Sequence, residues 1–280
     1  VADEPIISIT DMGYTYAQAE RPALAGIDLH IERGEYVAVM GLNGAGKTTL
    51  GLCLNGIIPH MLMGEQTGTV LVDGKDPGTT VVREMARTVG IVFDNPEFQM
   101  SQITAAEEVA LGLENLGVDP SEMPERIAGA LRLVGLEGME ERSPMGLSGG
   151  QQQRLAIASV LVMRPIILFM DEPTSNLDPL GKDEIFEIAR RLNQEEGMTV
   201  IVAEHEVEVL AQYADRVVVL DEGRIALQGP PSEVLSKVDA LTALGLRSPQ
   251  VTAYAHALSG ASAGLPVTID TTLDWLGARA

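Results

Sequence analysis

The sequence predicts an α/β fold: a largely parallel sheet with crossover helices, interrupted by a helical insert and followed by a C-terminal extension. Three observations predict it. Short apolar runs alternate with helical stretches in the second half of the chain. A glycine-rich turn joins one such run, YVAVM, to a helical pattern. Residues 105–162 read as helical, with no strand pattern among them.

Each element follows from its local pattern. Residues 6–10 alternate between Pro5 and Gly13 and read as a strand, and IDLHI at 27–31 alternates more cleanly. YVAVM at 36–40 is a short apolar run, as a buried strand requires. A helix is expected over 46–55, with further strands at 69–72 and 90–93. Within the helical region, Pro120 and Pro124 separate two stretches. Strand runs return at 166–170, 199–203 and 216–220, with helices near 182–192 and 207–213 between them. Asp221-Glu222-Gly223 reads as a turn into a short strand at 224–227, and Pro231 stands near a helix start. The organisation expected is a core over 1–235, a helical insert at about 96–163, and an extension over 236–280 rich in Ala, Gly and Ser.

Composition narrows the function. The chain has 280 residues, with 19 Lys and Arg against 40 Asp and Glu, a net charge of −21. Such a chain is a poor binder of phosphate backbones, so nucleic acid is not expected as its main partner. The single cysteine, Cys53, stands between leucines and reads as a small buried hydrophobe; one cysteine cannot form an internal disulfide, which suggests a reducing compartment. The longest apolar stretch, 155–170, is broken by Arg164 and Pro165, and the acidic N-terminal segment has no signal-peptide shape. Any membrane role is therefore expected to act through a partner.

The chemistry is carried by three motifs. Gly41-Leu42-Asn43-Gly44-Ala45-Gly46-Lys47-Thr48 fits the P-loop pattern and lies between a buried strand and a helix, the context that motif requires. Its backbone N–H groups and the following helix N-terminus suit phosphate oxygens. Lys47 would sit by the β- and γ-phosphates of ATP, and the Thr48 hydroxyl would ligand Mg²⁺. Thr49 completes the nucleotide-binding set. The buried run 166–170 ends in Asp171 and Glu172, at the carboxyl end of a strand where α/β sheets bind ligands. Asp171 would hold Mg²⁺ and Glu172 would orient or deprotonate the attacking water. Ser148-Gly149-Gly150-Gln151 opens a helix and forms a second anion-binding arrangement; alone it could equally be a capped helix. One chain has no need of two γ-phosphate sites, so this one is expected to serve a second chain.

Together the P-loop, LSGGQQQR at 147–154, the strand with DEPTSNLD at 171–178, and Glu204-His205 resemble the ATP-binding cassette (ABC) ATPases from about residue 6 to 231. The resemblance implies a P-loop NTPase, RecA-like core with an antiparallel β-subdomain and a helical subdomain that bears the signature. It implies two cassettes packed head to tail, identical or paralogous, with Ser148 and Gly150 touching the partner's γ-phosphate and Asp178 reaching across the interface. His205 would contact the γ-phosphate, and Tyr16 would stack on adenine; Tyr14 is the alternative, and a core aromatic is the bland reading of both. GIIPH at 56–60, GTVLVDG at 68–74, FDNPE at 93–97, LENLG at 113–117, LRSPQ at 246–250 and GLP at 264–266 are similar to the ATPases of energy-coupling factor importers. Those take up vitamins and transition-metal ions through an integral membrane coupling subunit and a substrate-capturing membrane protein. The ATPase would then lie peripherally on the cytoplasmic face of the membrane.

One position departs from the family. Gln usually follows strand VGIVF, and here the residue is Asp94. Asp94 could face the metal, or Gln99 or Gln102 could replace the missing amide. Phe98, Met100 and Ile103 could line the groove for the membrane partner or belong to the core. Trp275 could anchor a second dimer contact or pack the extension. Two other function classes are weighed against the transporter motor. A soluble ABC ATPase acting on nucleic acid or ribosomes would carry two cassettes or long heptad repeats, and neither is present. A small-molecule kinase would have no use for LSGGQ.

Overall fold

In the computed structural model, which describes residues 4–262 and 264–278, the alternating pattern near the N-terminus becomes a strand longer than expected. Strand β1 (Ile7–Tyr16) runs past Thr10 because Asp11 takes a positive φ of 46° and the pairing shifts register between Thr10 and Gly13. That bulge bends the strand without ending it. Strand β2 (Leu24–Ile31) pairs antiparallel with it. Next come β3 (Tyr36–Met40), buried at all five positions, and helix α1 (Lys47–Asn55). After the short α2 (Ile57–His60), β4 (Gly64–Val72) closes the other edge of β1, completing a three-stranded antiparallel sheet. The short α3 (Val82–Met85) then leads into β5 (Val89–Val92).

The insert contains α4 (Ala105–Leu116), α5 (Met123–Leu133) and α6 (Gly149–Leu161). Thr104 opens α4 through a capping box with Glu107, at 3.2 Å and 3.0 Å. Pro124 does not separate helices; it sits in the first turn of α5, where a missing N–H goes unneeded. Each of the three helices ends on a guanidinium from another element. Arg87 donates to the Leu116 carbonyl at 3.1 Å, Arg126 to Val162 at 2.7 Å, and Arg191 to Leu133. These bonds satisfy carbonyls that a helix C-terminus leaves open and place positive charge at the negative end of its dipole.

The remaining strands and helices alternate: β6 (Ile167–Asp171), α7 (Pro179–Glu196), β7 (Thr199–Ala203), α8 (Val207–Tyr213), β8 (Arg216–Asp221) and β9 (Arg224–Gly229). The second sheet has the order β5-β6-β7-β3-β8-β9 and is parallel except for β9. Its strands β6, β7 and β3 are buried at every position because both faces are covered. Ala203 pairs with both Val39 and Asp171, so the carboxyl ends of β3, β7 and β6 lie side by side.

After α9 (Pro231–Val234), which begins at the expected Pro231, the extension is helical, with α10 (Val238–Ala243), α11 (Gln250–Ser259) and α12 (Ile269–Gly277). Leu241 and Val267 are buried in the same cluster as Met40 and Val219. The extension thus seals part of one face of the main sheet. Trp275 is half-buried and borders a cavity of about 570 Å³ between α9 and α12. Cys53 is buried, and burial pushes its thiol up to about 12, which makes it a packing residue rather than a nucleophile.

Helix α1 packs on β6 through Gly51, where a Cβ would lie 2.6 Å from the Phe169 ring. Gly51→Val should overfill this contact and lower the unfolding free energy by about 1–3 kcal/mol. A lower denaturant midpoint at unchanged m-value would show it.

Candidate active site

Strand β3 delivers the chain to the P-loop at its carboxyl end. The turn passes so close to β8 that a Cβ on Gly41 would lie 2.4 Å from the Leu220 carbonyl oxygen. Gly46 has φ 108°, and a Cβ there would meet the Ala23 carbonyl oxygen at 2.7 Å. Glycine is the residue that fits both places.

The turn folds around Lys47, whose side chain is 5% exposed. Its Nζ donates to the Gly41 carbonyl at 2.9 Å and to Leu42 at 3.3 Å. The same Nζ lies 3.1 Å from Glu172 Oε1, and His205 Nε2 lies 2.9 Å from that oxygen. The Thr48 hydroxyl donates to Asp171 Oδ2 at 2.5 Å. Lys47, Glu172 and His205 therefore form one cluster, with Thr48 and Asp171 beside it.

A cavity of about 490 Å³ opens over this cluster. Asn43, Gly44, Gly46, Lys47, Thr48 and Thr49 line it from the P-loop and α1, Asp171 and Glu172 from the end of β6, and Tyr16 and Asp94 from the sides. Gly41, Leu42 and Ala45 do not line it. Ala45 is buried and its amide donates to the Leu42 carbonyl at 3.0 Å, while the Leu42 side chain lies over Gly245 of the extension. The two tyrosines differ in depth. Tyr14 is 1% exposed and donates to the Leu62 carbonyl; Tyr16 packs against it edge-on and reaches the cavity, with its hydroxyl 3.1 Å from Thr49 Oγ1.

The two adjacent acids have opposite electrostatics. Burial pushes the Asp171 carboxyl up; the Thr48 bond and Lys47 oppose this, Glu172 and Asp94 add to it, and the net shift is upward. Burial also pushes Glu172 up, but the bonds and charges of Lys47 and His205 outweigh it and hold Glu172 below the usual carboxylate range. Glu172 has φ 46°, a left-handed conformation uncommon outside glycine, and its amide donates to Ala203 at 2.8 Å.

The donor set suits a hard divalent cation. Asp171 Oδ1 is buried with no hydrogen-bond partner, and the Thr48 hydroxyl stands at the other oxygen. A magnesium ion prefers oxygen ligands and would satisfy that acceptor. Asp94 borders the same cavity. Gln99 and Gln102 do not line it; their amides donate to the Phe93 carbonyl at 3.5 Å and to Ser101 Oγ at 2.9 Å.

Residues Ser148 to Gln151 do not line this cavity; Gly149 borders an adjoining one that also reaches Asp94. Ser148 and Gly149 are exposed at the start of α6, where Ser148 Oγ accepts from the Gln151 amide at 3.3 Å. Asp178, also exposed, caps α7 by accepting from the Gly181 amide at 2.7 Å. Phe98 and Ile103 are 87% and 79% exposed, whereas Met100 is core. The sequence motifs assign Thr174 and Glu204 no role of their own. The available signal was a glutamate beside a candidate histidine at the end of a buried strand.

Residues 24–175 match the ABC transporter family. The chain belongs to it. This ABC ATPase is 40% identical over 271 residues to the energy-coupling factor transporter ATP-binding protein EcfA of Methanothermobacter thermautotrophicus, covering 96% of this chain and 84% of that one. It is 46% identical over 244 residues to a provisionally named ABC transporter ATP-binding protein of Pyrococcus abyssi, covering 87% of each. Among solved structures it superposes on cbiO1 of Clostridium perfringens, described as part of the ABC transporter complex cbiONQ. The TM-score is 0.75 at 34% identity, over 90% of this chain and 99% of that one. It also superposes on the cassette MJ0796, solved as a dimer in a post-hydrolysis state bound to ADP and Pi, with TM-score 0.70 at 28% identity over 80% of this chain and 98% of that one. The chain is thus the ATP-hydrolysing subunit of a transporter. No helix among the described residues is long and apolar enough to cross a membrane.

The raised pKa of Asp171 yields a stability prediction. A carboxyl raised in the folded state stabilises it in acid and loses that contribution as pH rises through the folded pKa. At neutral pH its charge opposes folding, so Asp171→Asn should raise the thermal midpoint of the nucleotide-free ABC ATPase. The gain should vanish below the ordinary aspartate range. Scanning calorimetry across pH, without nucleotide or divalent cation, checks the sign.

Proposed function

We propose that this ABC ATPase energises an energy-coupling factor importer of a vitamin or transition-metal ion. It acts as one of two cassettes, identical or paralogous, that share ATP across their interface. The observation that carries the half-dimer reading is the separation of the two anion sites: Lys47 and Thr48 line one cavity, and Ser148 and Gly149 stand exposed without lining it. The importer class is supported by the EcfA relative and by cbiO1. In this reading an integral membrane coupling subunit docks beside Phe98 and Ile103, whose exposed apolar side chains suit a partner helix. A separate membrane protein captures the cargo, and the ATPase lies peripherally on the cytoplasmic face.

The residues divide the work as follows. Tyr16 stacks on the adenine, and Asn43, Gly44 and Gly46 to Thr49 enclose the phosphates. In the nucleotide-free site Glu172 neutralises Lys47. Phosphate oxygens compete for that ammonium, and their arrival removes the main force holding the Glu172 pKa down. Burial then raises it toward the range of an effective general base. Glu172 accepts a proton from the attacking water at Oε1, while His205 faces the γ-phosphate. The partner's signature serine and glycines donate to the same phosphate, and Asp178 meets the partner across the interface. Thr48, Asp171 and Asp94 would hold magnesium, which when bound neutralises phosphate charge and orients the oxygens. Loss of the bridging γ-phosphate lets the halves part, and the motion passes to the membrane partner.

Glu172→Gln should lower the rate of hydrolysis by about 100-fold or more while ATP still binds, as read by steady-state turnover and nucleotide titration. Turnover near wild type would remove Glu172 from the role of base. Asp94→Asn should weaken the magnesium dependence of ATPase activity; an unchanged dependence would exclude direct coordination. For the importer itself, the tagged chain extracted from native membranes in mild detergent should bring down an integral coupling subunit and a small substrate-capturing membrane protein. Recovery with ribosomes or nucleic acid, and no membrane chain, would favour the soluble ABC class instead.

A further inference from the structure

Two buried residues close to the site have no place in the mechanism above. Thr174 is fully buried and Glu204 is 4% exposed. The Thr174 hydroxyl donates to Glu204 Oε2 at 2.9 Å, and the His205 amide donates to Glu204 Oε1 at 2.9 Å. Both side-chain oxygens of Glu204 are thus hydrogen-bonded, each to a different segment. Thr174 follows Glu172 by two residues, and His205 Nε2 returns to Glu172 Oε1 at 2.9 Å. The ring is closed: Glu172 along the chain to Thr174, Thr174 to Glu204, Glu204 to His205, and His205 back to Glu172.

The ring stands where the sheet stops. The last ladder pair between β6 and β7 is Asp171 with Ala203. Beyond it the two loops leave the sheet, one carrying Glu172 and Asp178, the other His205. Backbone bonds at Glu172 to Ala203 and at Glu204 to Val39 anchor only the loop starts. Burial opposes the charge on Glu204, and its two hydrogen bonds offset that only in part. A buried ionic group can commonly be replaced by an apolar one without loss of stability. A carboxylate here is thus better explained by what it orients. Its neighbour Glu206 binds Lys182 at the start of α7, a second tie between the same segments, but at 39% and 29% exposure it is a weak one.

We propose that Glu204 is a positioning residue for hydrolysis: through Thr174 and the His205 amide it holds the loop bearing Glu172 in register with the loop bearing His205. This rests on the roles given above to Glu172 and His205. The ring acts on the geometry of the reacting groups and not on nucleotide affinity.

The test is a set of variants of the full chain, each checked for folding by its thermal midpoint and for ATP binding. Glu204→Ala should lower kcat about 10- to 100-fold with KM for ATP within about twofold. Glu204→Gln, whose amide can accept from His205 and donate to the Thr174 oxygen, should recover most of that loss. Thr174→Val should lower kcat in the same direction, and the double variant Thr174→Val with Glu204→Ala should be no worse than Glu204→Ala alone. Lys182→Ala, which cuts only the surface tie, should keep kcat within about twofold. The ring resonances of His205, one of four histidines, should move in Glu204→Ala and return in Glu204→Gln. Wild-type kcat in folded Glu204→Ala or in Thr174→Val would overturn the proposal, as would a rise in KM at constant kcat or strictly additive losses. If Glu204→Ala does not fold, Thr174→Val and Glu204→Gln decide the matter. Glu172→Gln separates the two levels: its inactivity beside wild-type turnover in Glu204→Ala would reject the positioning role alone, whereas turnover in Glu172→Gln would reject the base.

Discussion

Lys47 carries a positive charge into a site where its side chain is 5% exposed, and the groups around it are placed to offset that charge. Two carbonyls of the P-loop and the Glu172 carboxylate meet its ammonium, and His205 shares the same carboxylate oxygen. A buried cation without such partners would be strongly destabilising. The arrangement of the strands follows from this need. Lys47 comes after β3, Glu172 after β6 and His205 after β7, and only a parallel sheet with these strands as neighbours brings their carboxyl ends together. The glycines at 41 and 46 belong to the same constraint, because the turn must fold back tightly enough for its own carbonyls to reach the lysine.

The adjacent carboxyls Asp171 and Glu172 show how one strand end can supply two chemistries. Asp171 keeps one oxygen against Thr48 and leaves the other buried and unmet, the posture of a group awaiting a cation. Glu172 steps off the strand through a left-handed φ and turns toward Lys47. Their pKa values are pushed apart by these surroundings, as acid and base assignments commonly are at catalytic sites. The uncommon backbone at Glu172 is what lets two consecutive acids face different partners.

The charge balance reads differently once the fold is known. In a chain of net charge −21, Arg87, Arg126 and Arg191 each close the end of a helix around the insert. They are structural cations, set against the helix dipoles. The extension likewise proves to be part of the folded body, since Leu241 and Val267 complete a cluster with strands β3 and β8 and Gly245 underlies Leu42 of the P-loop.

Much of the site was legible in the chain because its signals are local. YVAVM followed by GLNGAGKT joins a buried strand, an anion-binding turn and a helix within about fifteen residues. A run of apolar residues ending in Asp171-Glu172 marks a strand carboxyl end, and LSGGQ announces a capped helix start. What stayed open was whatever depended on distant residues. Tyr14 and Tyr16 share one strand face, and only the Leu62 carbonyl and the packing around it decide which is core. Whether Asp94, Gln99 or Gln102 borders the cavity likewise depends on how two loops turn. The bend at Asp11 and the bond from Thr174 to Glu204 depend on partners far away in the chain. The sequence by itself determined the chemistry available and the strand ends that present it. The tertiary structure alone decided which side chains meet, because burial and hydrogen-bond partnership are properties of the assembled sheet.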